Sequence, residues 1–238
     1  HRRSTAPTHL LHGDPLTRAM AGIGMRFAVT PAKDPNVEDT LVAASIEGVE
    51  REELRVLAVL TTWIGIHRRW INVDRLTRAV AALESKAVRA YWAAVAAWMK
   101  KDGRFLRLSR THSGKPMDLP GAGIAFQLKR RGEDPRFEGT CFRVPEGVLR
   151  DRESDVDPPE ELARRHTAYR HRVLMGPGYR ADMWAALSRD PSLAAAALAR
   201  AAYGSFATAW QVKRDFAILG TPALMTCGEP HPTRTPRG

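Results

Sequence analysis

Near the C-terminus four polar side chains, Ser205, Thr208, Gln211 and Arg214, recur at intervals of three within a largely apolar run. If Ala209, Val212, Phe216 and Leu219 are buried on one helical face, these four are left near the outer side. Their chemistry suits the edges of a nucleic-acid duplex. Glutamine can pair bidentately with adenine and arginine with guanine, while serine and threonine reach phosphate oxygens. Lys213 adds a cation beside them. A second set, Lys129, Arg130, Arg131 and Arg136, flanks the short polar turn RRGEDPR and can reach phosphates or a minor groove. A third pair, Lys86 and Arg89, opens a helix whose outer face is otherwise Ala90, Ala93, Ala94 and Ala97. Alanine offers a base edge little beyond contact with a thymine methyl, so this face suits packing against another helix or a protein partner.

Other reactive groupings are incomplete. The SGKP at 113–116 lacks the earlier glycine and the following hydroxyl residue of a phosphate loop, and LPGAGIAF lacks the full dinucleotide fingerprint. Cys227, Glu229 and His231 supply one thiol and one imidazole, too few for a zinc site. His166 and His171 are five apart and share no helical face. Asp151, Glu153, Asp155 and Asp157 have ligand-like spacing without the glycine and distal Glu of a calcium loop. They read as a solvated acidic stretch, and Asp182 reads as a partner for a helix dipole. His67, Arg68 and Arg69 sit at a helix end, where cations offset the dipole. Trp63, Trp92, Trp98, Trp184 and Trp210 fall on or near apolar stripes and read as core. No catalytic residue, metal or cofactor is expected.

These residues must be positioned by the elements around them. Residues 38–46 form a short helix, and 50–67 form an amphipathic one with Leu54, Leu57, Leu60 and Ile64 on its stripe. Asn72 caps a helix through Leu83. Ser85 caps another to Lys101, with Val88, Trp92, Val95 and Met99 inward and Gly103 as its stop. Phe105 to Leu108 alternate apolar and basic, as an edge strand does. Ile124, Phe126 and Leu128 alternate too, and 137–144 return after the polar turn, which predicts a hairpin with a charged tip. Pro159 opens a helix to about Leu174, closed by Gly176, Pro177 and Gly178. Helices follow at 180–189, from a Ser192 cap to Ala202, and from a Ser205 cap to Leu219.

The order of elements over 50–144 resembles a winged-helix domain. The segment SLAAAALARAAYGSFATAWQVKRDFAIL (192–219) resembles the helix-turn-helix of bacterial DNA-binding proteins. Ala199 and Ala201 stand before the turn, Gly204 lies in it, and Ala209, Val212 and Phe216 point inward after it; the turn is one residue longer than the commonest spacing. The resemblance implies a third helix, buttressed by two others, whose exposed face enters the major groove.

The expected fold is therefore mainly α with a small β-hairpin wing. It comprises an N-terminal arm (1–37), a winged-helix domain (38–149), an acidic linker (150–158), a helix-turn-helix domain (159–220) and a flexible tail (221–238). The implied function is non-catalytic binding of double-stranded DNA, as in a bacterial transcriptional regulator or an antitoxin or defence-associated factor. The partners would be DNA and a second copy or other protein subunits. The alternative is a structural, protein-binding subunit of a larger nucleoprotein or defence assembly, and an enzyme of unrecognised chemistry is a third reading.

Composition is compatible with this. Across 238 residues, 37 Lys and Arg face 26 Asp and Glu, a formal charge of +11. Residues 101–150 hold eleven basic and six acidic side chains, whereas 151–200 hold eight of each. Only seven of the cations are Lys, and with the many alanines this matches high-GC coding, so the charge permits a polyanion without demanding one. No uncharged stretch reaches the ~18 residues of a membrane span. The basic start, with Leu10 and Leu11 as its only apolar pair, does not read as a signal peptide. The chain opens on His1 rather than Met, as a trimmed or tagged start would. Cys141 and Cys227 cannot build a disulfide framework, and a cytoplasmic setting is expected.

Overall fold

Side-chain caps fix where several helices begin. The computed structural model describes residues 10–219, which are mainly helical. Asn36 accepts from the Asp39 amide at 3.1 Å and opens α2 (Val37–Glu50), which follows α1 (Gly13–Gly22). Next come α3 (Leu54–His67) and α4 (Val73–Ala81), the latter capped by Asn72 as its sequence predicts. Ser85 likewise caps α5 (Lys86–Trp98). Each cap satisfies an amide that the first helical turn leaves free. Gly48 in α2 marks a close approach to α3, because a Cβ there would lie 2.8 Å from that of Leu57.

Two expected β elements are not formed. The stretch 103–111, read in part as an edge strand, is a 3-10 helix (Gly103–Thr111). Residues 124–131, read as the first arm of a hairpin, form α6 (Ile124–Arg131), entered through Gly123 at φ +76°. Ile124 and Leu128 alternate with Phe126, but they are also i,i+4 neighbours on one helical face. The helix leaves Phe126 65% exposed. The strands that do form are β1 (Met117–Asp118) and β2 (Phe142–Arg143), and they pair in parallel. Parallel neighbours need a crossover between them, which α6 supplies, so the expected wing has no counterpart here.

The second half continues through α7 (Pro159–Arg165), α8 (Thr167–Met175), α9 (Tyr179–Arg189), α10 (Ala195–Ala201) and α11 (Phe206–Leu219). The single helix expected from Pro159 breaks at His166, whose extended backbone ends α7. Its Nδ1 accepts from the Tyr169 amide at 3.1 Å and so caps α8.

One apolar core runs from Leu16 to Tyr169. It crosses two stretches read as peripheral. In the expected arm, Leu16, Met20 and Ile23 are buried at a helical spacing that the nearby prolines obscured, and Met25 just after them is buried too. In the expected acidic linker, Val156 and Asp157 are buried, and Asp157 takes ion pairs from Arg26 and Arg165. The expected tail and residues 1–9 lie outside the described residues.

His67 is not a surface cation but a core residue, 0% exposed. Its Nδ1 lies 2.6 Å from the Tyr169 hydroxyl and its Nε2 3.0 Å from the Asp157 carbonyl oxygen, and the ring stacks on Trp63. A neutral imidazole satisfies both contacts, accepting from Tyr169 and donating to Asp157. Burial pushes its pKa down to about 4, and buried His166 is lowered for the same reason. The unfolded chain therefore takes up a proton near pH 6.5 that the folded chain refuses. Stability is full above that pH and falls as pH drops toward 4, by about 3 kcal/mol for His67 alone. Urea midpoints at pH 7 and pH 4 should show this loss. A His67→Gln variant, less stable at pH 7, should lose less between the two.

A second, smaller core lies within the C-terminal three helices. Met183, Ala186 and Leu187 of α9 meet Leu198 and Ala199 of α10 and Ala209 and Val212 of α11. Buried charge joins this unit to the larger body. Arg172 of α8 donates to both carboxylate oxygens of Glu38 in α2, at 2.7 and 2.8 Å, and to Asp182 of α9 at 2.8 Å. Beside it Arg75 of α4 pairs with Asp39, and its guanidinium lies 3.4 Å from the centroid of the Tyr203 ring just ahead of α11.

Candidate nucleic-acid interface

The turn into α11 is tightly specified. Tyr203 adopts φ +54°, and its hydroxyl donates to Asp39 at 3.0 Å. Gly204 follows where any Cβ would overlap the Met183 methyl, so glycine lets the turn pack directly on α9. Ser205 then accepts from the Thr208 amide at 3.1 Å, the cap expected from the sequence. On α10, Ala199 is buried, but Ser192 does not cap the helix; its hydroxyl and amide bond Asp190 in the preceding turn, and Ala194 is the N-cap.

The four polar residues of α11 divide into two pairs. At about 100° per residue, Ser205 and Thr208 lie toward the buried side defined by Ala209 and Val212. Both are half-buried, and their hydroxyls bond each other at 2.7 Å. Gln211 and Arg214 lie toward the opposite side and are exposed. The Arg214 guanidinium sits 5.3 Å from the Trp210 ring centroid, a cation–π contact that braces it without burying it. Lys213 is turned aside, its ammonium donating to the Leu193 carbonyl at 2.6 Å, where it ties α11 to the turn before α10.

The same helix turns Trp210 and Leu219 outward, which its period predicts inside, and carries Phe206 and Ile218 outward with them. Phe206 is 51% and Trp210 52% exposed, and Leu219 and Ile218 at its end are exposed as well. Phe216 is half-buried against Trp184, with ring centroids 5.1 Å apart. Trp210 lies one residue beyond buried Ala209, a third of a turn off the core direction, which is the signal that places it at the rim.

The other expected cations fare differently. Lys129, Arg130 and Arg131 are exposed, in the last turn of α6, where they offset its dipole rather than tip a hairpin. Arg136 is a structural residue. Its guanidinium chelates buried Asp134 at 2.9 and 2.7 Å, reaches Asp151 at 3.0 Å and donates to the Leu149 carbonyl. Arg136→Gln would leave Asp134 unpaired. It should cost about 3 kcal/mol of stability, read in thermal melts, while leaving the nucleic-acid affinity of the folded chain unchanged. Lys86 is exposed and Arg89 half-buried. The alanine face beside them is internal. Ala90, Ala93 and Ala94 are buried within the chain, where α5 packs on α2, α4, β2 and the 3-10 helix, so most of this face is closed to an outside partner.

Among the described residues no cluster of three or more His, Cys, Asp or Glu is arranged to hold a metal ion, and no helix is long and apolar enough to cross a membrane. Arg68 donates to the Gly65 carbonyl at 2.6 Å and caps the end of α3, the role its position predicts. Comparison with family models, with curated proteins and with solved structures finds no match for this chain.

Proposed function

We infer that the chain is a duplex-DNA-binding protein that reads bases with α11, a role of the transcriptional-regulator or antitoxin kind. One observation carries this reading. The α11 helix is held by Ala209 and Val212 against α9 and α10 while Gln211 and Arg214 stay exposed on its outer side. A third helix buttressed by two others is the arrangement that presents side chains to a major groove. With β1 and β2 parallel, the described residues form no hairpin wing to hold the backbone, so backbone contacts fall to other cations. Fluorescence anisotropy with a random duplex tests the reading. Binding should be measurable at low salt and weaken steeply as salt rises, because neutralised phosphates release counterions.

A second reading has its own support. The outward Phe206, Trp210 and Ile218 give α11 an apolar component that a protein partner or a second copy would cover. No duplex binding at low salt, together with association that rises with protein concentration, would favour that reading instead.

A further inference from the structure

A 3-10 helix has three residues per turn, so side chains at i, i+3 and i+6 stack in one row. In the segment Gly103–Thr111 the row Phe105 and Leu108 is buried, and the helix packs on α4 and α5. The adjacent row is Arg104, Arg107 and Arg110, all exposed. At a rise of about 2 Å per residue the arginines stand ~6 Å apart.

Arg104 is committed to the fold. It pairs with Asp102 at 2.6 Å and donates to the carbonyls of Arg68 and Arg69 at 3.1 and 3.2 Å, which fixes that basic turn beside the row. Exposed Lys100 and Lys101 precede it and exposed Lys115 follows. From 100 to 115 six cations (Lys100, Lys101, Arg104, Arg107, Arg110, Lys115) accompany one carboxylate, Asp102, which Arg104 neutralises. Elsewhere Arg26, Arg136, Arg143, Arg152, Arg165 and Arg172 each meet a carboxylate. Arg107, Arg110, Lys100 and Lys101 make no ion pair among the described residues. Like charges in a row repel one another, and a polyanion laid along them relieves that repulsion.

We propose that this ridge is a second DNA contact, seating the phosphate backbone of the duplex whose bases α11 reads; it rests on that reading. A duplex strand advances ~3.4 Å per phosphate along its axis, so a cation every ~6 Å meets about every second phosphate. A groove and one ion pair lie between the two surfaces. Leu106, Arg107 and Pro177 line a shared groove of about 400 Å³ with Asp74 and Thr77 of α4. Pro177 lies in the turn ahead of α9, and Arg180 in the first turn of α9 pairs with Asp215 of α11 at 2.7 Å.

The test uses the full chain with Arg107→Ala and Arg110→Ala together, both exposed and unpaired, and a second variant with Glu at both positions. Binding is measured by anisotropy on a random duplex and on a duplex selected by the wild-type chain, over a range of salt. The Ala variant should lower the slope of log K against log salt by about 2, since each phosphate contact contributes about 0.9. The ratio of selected to random affinity should stay unchanged, and the Glu variant should weaken binding further. An unchanged slope in both variants, with wild-type binding intact, would overturn the ridge and leave α11 standing. A reduced slope here, combined with no loss of preference in Gln211→Ala/Arg214→Ala, would keep the ridge and remove α11 as reader. No wild-type binding at low salt would overturn both.

Discussion

Replacing Arg172 by Met should destabilise the chain by about 3–5 kcal/mol, the cost of breaking a buried ion pair from one side. At roughly 2–4 °C per kcal/mol for a chain of this size, the melting temperature should fall by about 10 °C or more. The reason is local. Glu38 is 0% exposed, and although burial pushes its carboxyl pKa up, Arg172 with Arg75 more than offsets this and holds it below the usual carboxylate range. Without Arg172 that carboxylate stays buried with Arg75 4.0 Å away as its remaining cation. A double-mutant cycle with Glu38→Gln should give a coupling of about 1–3 kcal/mol, against near-additivity for residues that do not touch. The loss should also reach α11, because Arg172 holds Asp182 of α9, and α9 carries the C-terminal core. Faster proteolysis in the 176–178 turn would report that loosening.

Replacing Gln211 and Arg214 by Ala should abolish most of the preference for a selected duplex while leaving binding to random duplex within a few-fold. Each bidentate contact to a base edge discriminates by about 1–3 kcal/mol, so preference should fall roughly five- to 150-fold per residue. Random-duplex affinity should drop only by what one lost cation contributes. Competition binding with both duplexes measures the two quantities together. An equal loss on every duplex would reduce the pair to bulk charge. Because both side chains are exposed, the melting temperature should hardly move, unlike that of Arg172→Met.

The sequence made local signals readable and long-range ones not. The caps Asn72, Ser85 and Ser205 act within three residues, and all three form as read. The inward Ala209 and Val212 were likewise legible from helical period. Periods of two and three misled. Ile124, Phe126 and Leu128 fit a strand as well as a helix, and in RFLRLSR an alternation of two over Phe105 to Leu108 conceals a repeat of three. The acidic run 150–158 looked solvated because its counter-charges come from afar; Arg26 and Asp157 are 131 residues apart in sequence. Ser205 and Thr208 were placed outward from their spacing alone. A repeat of three drifts by about 60° per step on an α-helix, so the set wraps round α11 and only Gln211 and Arg214 reach the far side. The protein-binding alternative shifts for a similar reason: its alanine face on α5 is internal, and its support moves to Phe206 and Trp210.

The most direct measurement is photo-crosslinking from position 211. A benzophenone amino acid replaces Gln211 in the full chain, which is then irradiated with labelled duplex at low salt. If α11 lies in the groove, the chain should crosslink to DNA bases, and an excess of selected duplex should suppress the adduct better than random duplex does. A chain that still holds the duplex yet yields no adduct from that position would contradict the account.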